Sequence, residues 1–382
     1  MSHTLARFAL AATLSSLLAL AACGGDGLSF SAPVSSSADA STPAASTPAT
    51  STADASTATP TDPTPTPTQP GKWQTASTGD MLDVTLADLH PTQGALGYDQ
   101  LYYKLGRYEL NPNKKFDDFC ADEGLGGVAT SGYSSTSTLT DSTSFTCATT
   151  DTTKRDTTVL NPVVIGPNGD TLYLTDGHHG LSTYYEVPDG GSKLHVHVVV
   201  KANLSAYSGD TFWAEMQNRG YTRLKDGNGA TIKPSQLPTG LGLKLGMQDD
   251  KFRALVYFTR DIGYSKPTPS TDFLDFYWAD WLRTSFPLSS YTLTKLGTTD
   301  PDPATADTGY LNAVWNASQQ MVASTDPVID GMTGTDLGRL SQINSGKKYT
   351  KGVFGDLLQP MTAASPGKIA YSLDYKTRHG IQ

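Results

Sequence analysis

The stretch 160–200 constrains the fold of this chain more than any other part of its sequence. It opens with the apolar, β-branched run Pro162–Ile165, and a cluster of glycine, proline and asparagine follows at 166–169. Such runs favour strands, and such clusters are typical of turns. A second short strand is predicted at 171–175, directly before Asp-Gly-His-His-Gly-Leu at 176–181 and a segment with helical spacing of apolar residues. The sequence therefore predicts a hairpin, a sharp turn and the start of a helix.

The predicted turn is the best candidate for chemistry. The free N–H groups at a helix N-terminus, including that of Gly177, favour an anion. His178 and His179 suit acid/base catalysis or metal ligation, and Asp176 could orient one imidazole. Adjacent helical residues diverge by about 100°, so we expect one histidine to act and the other to pack. In the alternative interpretation, Asp176 caps the helix and both histidines make structural hydrogen bonds.

The N-terminal residues predict export rather than a folded element. Residues 1–22 combine a short basic start with an apolar run and read as a signal peptide. They end in Leu-Ala-Ala before Cys23, which resembles the lipobox of bacterial lipoproteins and implies lipid on Cys23. Gly24 follows rather than aspartate, which implies the outer membrane, facing the periplasm. Residues 23–71 are rich in Ser, Thr, Ala and Pro, and we expect a disordered tether.

Two further cysteines remain after export, Cys120 and Cys147. In an oxidising compartment a disulfide between them is the favoured interpretation, with two separate buried thiols as the alternative. The disulfide would close a loop rich in Thr and Ser and stabilise the fold by about 3–4 kcal/mol in the chain-entropy model.

The net charge of −9 excludes a class of function. Sequence-independent binding of nucleic acid in bulk requires a basic surface, which an acidic chain of this kind does not supply. A small local site for phosphate remains compatible with the composition.

The remaining pattern predicts an α+β fold, a small mixed sheet with helices followed by a mainly helical C-terminal extension. We place the boundary between 72–205 and 206–382, and expect weak structure from Ser341 onward. The predicted strands and helices outside the hairpin are Met81–Leu86, Gly97–Tyr108, Leu194–Val200, Asp210–Gly220, Asp249–Tyr264, Thr271–Phe286 and Tyr310–Ser324.

An ordered set of motifs resembles the ParB-like nuclease superfamily, more narrowly its branch called "putative ParB-like nuclease". The motifs are Pro-Thr-Gln at 91–93, Gly97-Tyr98 with Lys104, the segment 164–179 that ends in the two histidines, Phe212-Trp213, and the helices at 249–264 and 276–283. The resemblance covers roughly Met81 to Phe286. It implies the ParB/sulfiredoxin-like fold, which binds nucleotide or phosphate on the loop that enters its helix.

The resemblance also implies roles for individual residues. Gly177, Lys104, Gln93 and Arg253 become candidates for binding phosphate, beside the catalytic candidates His178, His179 and Asp176. Relatives commonly carry an arginine directly after the two histidines, whereas this chain has Gly180. Phosphate binding must then rest on His178 and His179, on backbone N–H groups, or on a residue from elsewhere such as Lys104 or Arg253.

Two other groups of residues each have a structural and a functional interpretation. His195 and His197 lie on one face of a predicted strand, where they form either a polar face or a joint pair of metal ligands. Asp249 and Asp250 stand at a predicted helix start with Arg253, where capping is the favoured interpretation. The sequence identifies no cofactor beyond the possibility of a divalent metal ion.

We therefore expect a membrane-tethered envelope protein whose pocket at 176–179 binds a phosphate-bearing or anionic ligand, either a small molecule or nucleic acid. It is expected to act as a phosphodiester hydrolase with a histidine as acid or base. The alternative is a non-catalytic binding or scaffold lipoprotein that retains the fold. The substrate, the protein partners and the oligomeric state are not determined by the sequence.

Overall fold

A computed structural model of the chain describes residues 70–297, 308–325, 329–346 and 353–382. The predicted signal peptide, the lipidation site at Cys23 and nearly all of the predicted tether lie outside these residues. Within them, no helix combines the length and apolarity needed to cross a membrane.

The described residues contain one five-stranded sheet with the order β1-β6-β4-β5-β2 and a separate two-stranded pair, β3-β7. In the large sheet, β6 runs antiparallel to β1 and parallel to β4, and β5 runs antiparallel to β4 and parallel to β2. The strands are β1 (Met81–Thr85), β2 (Leu89–Pro91), β3 (Ala95–Leu96), β4 (Asn161–Ile165), β5 (Leu172–Leu174), β6 (His195–Asn203) and β7 (Gln248–Asp249).

The helices are α1 (Tyr98–Leu110), α2 (Pro112–Asp122), α3 (His178–Glu186), α4 (Gly209–Asn218), α5 (Lys251–Thr259), α6 (Leu274–Ser285), α7 (Tyr310–Ala323), α8 (Phe354–Leu357) and α9 (Lys368–Arg378). The predicted α+β class is confirmed, with the sheet strands early in the chain and helices dominating later. The predicted hairpin and helix at 160–200 are also present, as β4, β5 and α3.

The first core forms where the sheet packs against α1, α2 and α3. Side chains alternate between the two faces of β6. Val196, Val198 and Val200 therefore enter this core, and His195 and His197 lie on the opposite face. Cys120 in α2 is bonded to Cys147, with their Cα atoms 5.5 Å apart. The predicted disulfide is therefore confirmed.

The second core belongs to helices α5, α6 and α7, whose aromatic residues are buried as a group. Trp278 and Tyr310 are fully buried there. Helix α5 is shorter than predicted and is capped by Asp250, whose Oδ1 accepts a hydrogen bond from Arg253 N at 2.9 Å. Asp249, the other predicted cap, instead accepts one from Tyr98 N at 3.1 Å.

The expectation of weak structure after Ser341 is wrong for the last part of the chain. Helix α9 packs along α1 and buries Ile369 completely. Lys376 of this helix forms an ion pair with Asp99 of α1 at 3.0 Å. The helix is polar overall, so its stability depends on this tertiary packing, which a local pattern does not reveal.

Candidate functional site

The turn before α3 has a backbone that only glycine fits. Gly177 lies in the left-handed region, with φ 87°, and a Cβ atom there would approach Asn161 Oδ1 to 1.8 Å. The side chain of Asp176 does not cap the helix; its Oδ1 accepts a hydrogen bond from the neighbouring Gly177 N at 2.7 Å. The exposed Asp176 carboxylate therefore stands beside the first turn of α3.

A small pocket of about 90 Å³ opens at this helix start. Asp176, His178 and His179 line it together with Gln93 and Arg253, two of the residues predicted to bind phosphate. Lys266 and the segment 270–276 complete the lining. Five of the six predicted catalytic and phosphate-binding residues that carry a side chain thus share one pocket, although they come from three separate parts of the chain.

His178 is buried and tied to the backbone. Its Nε2 accepts a hydrogen bond from Thr92 N at 3.2 Å. Burial lowers its pKa to about 4, against the opposing influence of Asp176 and a hydrogen bond to the Leu174 carbonyl. Near neutral pH the ring is therefore uncharged, and it joins the end of β2 to the end of β5.

His179 is held in a similar way, but by the N-cap residue of α1. Its Nε2 accepts a hydrogen bond from Gly97 N at 3.0 Å, so the neutral ring carries its proton on Nδ1. Burial, and then the positive charge of Arg253, hold its pKa well below the usual range. This ring is suited to donating a hydrogen bond and not to accepting a proton at Nε2.

The strongest charges at the pocket come from a buried carboxylate shared by two guanidinium groups. Asp275 Oδ2 lies 2.7 Å from Arg253 Nη2 and 2.5 Å from Arg260 Nη2, and its Oδ1 accepts a hydrogen bond from Tyr264 at 2.6 Å. Burial alone would raise the pKa of Asp275, but the two guanidinium groups hold it well below its usual range. One carboxylate cannot neutralise two guanidinium groups, so the cluster retains a positive charge.

Two further observations concern the positive charge at the pocket. The Nε atoms of Arg253 and Arg260 are buried without a hydrogen-bond partner among the described residues. Lys266 is exposed at the pocket. Attraction to Asp275 would raise the pKa of Lys266, but desolvation and repulsion from Arg260 and Arg253 outweigh it and lower the pKa. The pocket therefore offers two lining cations, Arg253 and Lys266, to an incoming anion, and Arg260 is held on the same carboxylate as Arg253.

Lys104 does not line the pocket. It lies on the part of α1 that faces Tyr108, Asp122 and Asp118; burial would lower its pKa, but electrostatic interaction with these groups raises it. Gly180, where relatives carry an arginine, faces the same region, because a Cβ atom there would lie 3.8 Å from Asp122 Oδ2.

Sequence reasoning missed Arg260, Lys266 and Asp275. One signal was available for Asp275, which interrupts the apolar and aromatic run Phe273–Trp278. A carboxylate on a buried helix face requires a cationic or hydrogen-bonding partner. Arg253 and Arg260 are seven residues apart, about two helical turns, and a helix of that length would carry both on one face. The sequence therefore offered both arginines as partners for Asp275.

The other predicted groups lie elsewhere. His195 and His197 face a separate cavity and pair with Asp83 and Glu123. Over the described ranges, no group of three or more His, Cys, Asp or Glu residues is arranged to hold a metal ion.

Comparison with known proteins gives a family match and matches to solved structures. The family model described as "Putative ParB-like nuclease" matches residues 82–284, more than half of the chain. The crystal structure of protein Atu1540 from Agrobacterium tumefaciens aligns with 63% of this chain and 89% of that chain, at 23% identity and a TM-score of 0.40. No curated protein matches the chain.

Proposed function

The chain belongs to the ParB-like nuclease family, and from that premise we propose that the pocket at the start of α3 binds a phosphate-bearing ligand and hydrolyses a phosphodiester. The observation that carries the proposal is the meeting of Asp176, His179, Arg253 and Lys266 around one pocket.

Anion binding follows from the charges that surround the pocket. Arg253 and Arg260 share a single buried carboxylate, and each retains an Nε–H group without a partner among the described residues. The first N–H groups of α3 and the Nδ1–H of His179 add neutral donors. A phosphate group would provide the charge and the acceptors that this arrangement lacks.

We propose that Asp176, and not a histidine, accepts the proton. Both imidazole Nε2 atoms already accept backbone N–H groups, and burial keeps both rings neutral. Asp176 is exposed at the pocket. In the proposed step, a water oxygen attacks phosphorus and loses a proton to Asp176, while the bond to the leaving oxygen breaks and Lys266 offsets the added negative charge.

A second candidate function is non-catalytic binding of the same class of ligand. It is favoured by the hydrogen bonds of His178 and His179, which serve to join α3 to the segments at Thr92 and Gly97. A pocket whose histidines are structural can still recognise an anion.

The test compares the purified full-length wild type with four variants. Asp176→Asn and Lys266→Gln remove charges at the pocket, whereas Asp210→Asn and Lys244→Gln remove exposed charges of the same types elsewhere. Each protein is assayed for turnover of a chromogenic phosphodiester and of single- and double-stranded DNA, with Mg²⁺, Mn²⁺ or EDTA. Binding of inorganic phosphate is measured by calorimetry.

The catalytic function is supported if the wild type hydrolyses a substrate and Asp176→Asn lowers the rate by about 100-fold or more, the size of a general-base contribution. Asp210→Asn should leave the rate unchanged. Phosphate binding weakened only by Lys266→Gln, without turnover by any protein, supports the binding function. A folded protein that neither binds phosphate nor hydrolyses any of these substrates contradicts both.

We also propose that lipid on Cys23 tethers the protein to the outer membrane, facing the periplasm. The support is the Leu-Ala-Ala-Cys sequence and the Ser/Thr/Ala/Pro-rich segment that follows it. Labelling with radioactive palmitate in a bacterial host is expected for the wild-type chain and lost in Cys23→Ala. Label retained in that variant would refute the assignment.

A further inference from the structure

His195 and His197 lie two residues apart on β6, and neither lines the proposed phosphate pocket. Both line a cavity of about 870 Å³ beside the disulfide, with Cys147 and Phe145 among its other lining residues. The proposed phosphate-binding function gives these two histidines no role.

Each of the two imidazole rings is paired with a carboxylate through the same ring nitrogen. His195 Nδ1 lies 2.9 Å from Asp83 Oδ1, and His197 Nδ1 lies 2.6 Å from Glu123 Oε2. An ionised carboxylate only accepts hydrogen bonds, so both Nδ1 atoms carry hydrogen. In the neutral rings, both Nε2 atoms therefore keep a lone pair.

The carboxylate beside His197 is itself fixed. Glu123 Oε1 accepts a hydrogen bond from the backbone N–H of His197 at 2.9 Å, and its Oε2 pairs with Arg155 Nη1 at 2.9 Å. The side chains of Glu123 and Arg155 are 9% and 6% exposed. The orientation of the His197 ring is therefore set before any ligand arrives.

This arrangement matches the requirements of a metal-ligating histidine. Such a residue donates its other ring N–H to a carboxylate, which fixes the tautomer and makes the ligating nitrogen more basic. Residues i and i+2 of a strand are about 6.6 Å apart on one face, a span that two imidazole side chains can bridge to reach one ion. Zinc binds histidine nitrogen at about 2.0–2.1 Å.

We propose that His195 and His197 bind one divalent transition-metal ion, such as Zn²⁺, through their Nε2 atoms. Asp83 and Glu123 act as positioning residues that hold the two rings. No third His, Cys, Asp or Glu completes a ligand set within the described residues. The remaining coordination positions face the cavity, where water or a molecule with an oxygen ligand can fill them.

The proposal is tested with metal-stripped, full-length protein that carries no polyhistidine tag. Zn²⁺ is titrated by calorimetry into the wild type, His195→Gln, His197→Gln and Asp83→Asn. His379→Gln is the matched control, because His379 also pairs with a carboxylate, that of Glu109, on the exposed surface but has no neighbouring histidine at i±2. Nitrogen-15 NMR of the imidazole rings reports which nitrogen binds the ion.

We expect one equivalent of Zn²⁺ to bind the wild type and His379→Gln equally. Either glutamine variant of the pair should lose saturable binding, and Asp83→Asn should weaken it about 10–100-fold. The wild type should show zinc-dependent shifts at Nε2 of His195 and His197. Absence of saturable binding to the folded wild type, or binding that survives both substitutions on β6, would overturn the proposal.

Discussion

The burial of His178 makes the stability of the fold depend on pH in a specific window. In the folded protein its pKa is about 4, against an ordinary value of 6.5. Between these two pH values the unfolded chain binds a proton that the folded chain does not. Acidification therefore favours the unfolded state, and the stabilising effect of the neutral ring, complete above pH 6.5, is lost as the pH falls toward 4.

The magnitude follows from the two pKa values. They differ by about 2.5 (6.5 − 4), and each pKa unit corresponds to about 1.4 kcal/mol. His178 alone should thus lower the free energy of unfolding by about 3 kcal/mol between pH 7 and pH 4. The assay is urea unfolding of the wild type and His178→Gln at pH steps across this range, with the disulfide intact.

We chose glutamine because its amide oxygen can accept the hydrogen bond from Thr92 N without titrating. The wild type should be more stable than His178→Gln at pH 7, and this difference should shrink by about 3 kcal/mol by pH 4. The control is Thr175→Ala, a buried change in the same hairpin that removes no titrating group. A difference between wild type and His178→Gln that stays constant with pH, as expected for Thr175→Ala, would refute the reasoning.

Three further predictions concern stability, each read from urea or thermal unfolding. Asp275→Asn leaves the two guanidinium groups without their shared anion and should cost about 3–5 kcal/mol, whereas an unchanged midpoint would show that the cluster is solvated. Replacing Cys120 and Cys147 together by alanine should cost about 3–4 kcal/mol, and reduction of the wild type by dithiothreitol should reproduce that loss. Ile369→Ala in α9 should cost about 2–5 kcal/mol if the C-terminal helix belongs to the core, and almost nothing if it frays.

The local sequence pattern predicts most of the helices and strands, but it does not predict the residues at which they begin and end, and it does not predict α9. The hairpin and α3 were predictable because β-branched runs, turn residues and helical spacing all agree over 160–186. Helix α5 begins later than predicted because Asp250, and not Asp249, caps it, and it ends at Thr259 because the backbone of Arg260 is extended. Helix α9 could not be read from its polar sequence, since its burial depends on α1, more than 250 positions earlier.

The candidate site was predictable only for the residues that a short motif brings together. Asp176, His178 and His179 are adjacent in sequence, and the resemblance to a known family added Gln93 and Arg253. Their hydrogen bonds could not be foreseen, because the partners of the histidines are backbone groups at Thr92 and Gly97 in a different part of the chain. The sequence could suggest that one histidine acts, whereas the structure shows both held by backbone N–H groups.

The loss of an arginine at position 180 does not leave the pocket without positive charge. Gly180 faces Asp122, on the side of α3 where Lys104 already lies near Asp122 and Asp118. The cations that line the pocket come instead from α5 and the segment after it, as Arg253 and Lys266, and Arg260 shares a carboxylate with Arg253. Because Asp275 of α6 holds both arginines, the charge of the pocket depends on packing between α5 and α6. The helices that follow the sheet are therefore part of the candidate site, and a fragment limited to the sheet and α1–α3 would lack the groups that attract an anion.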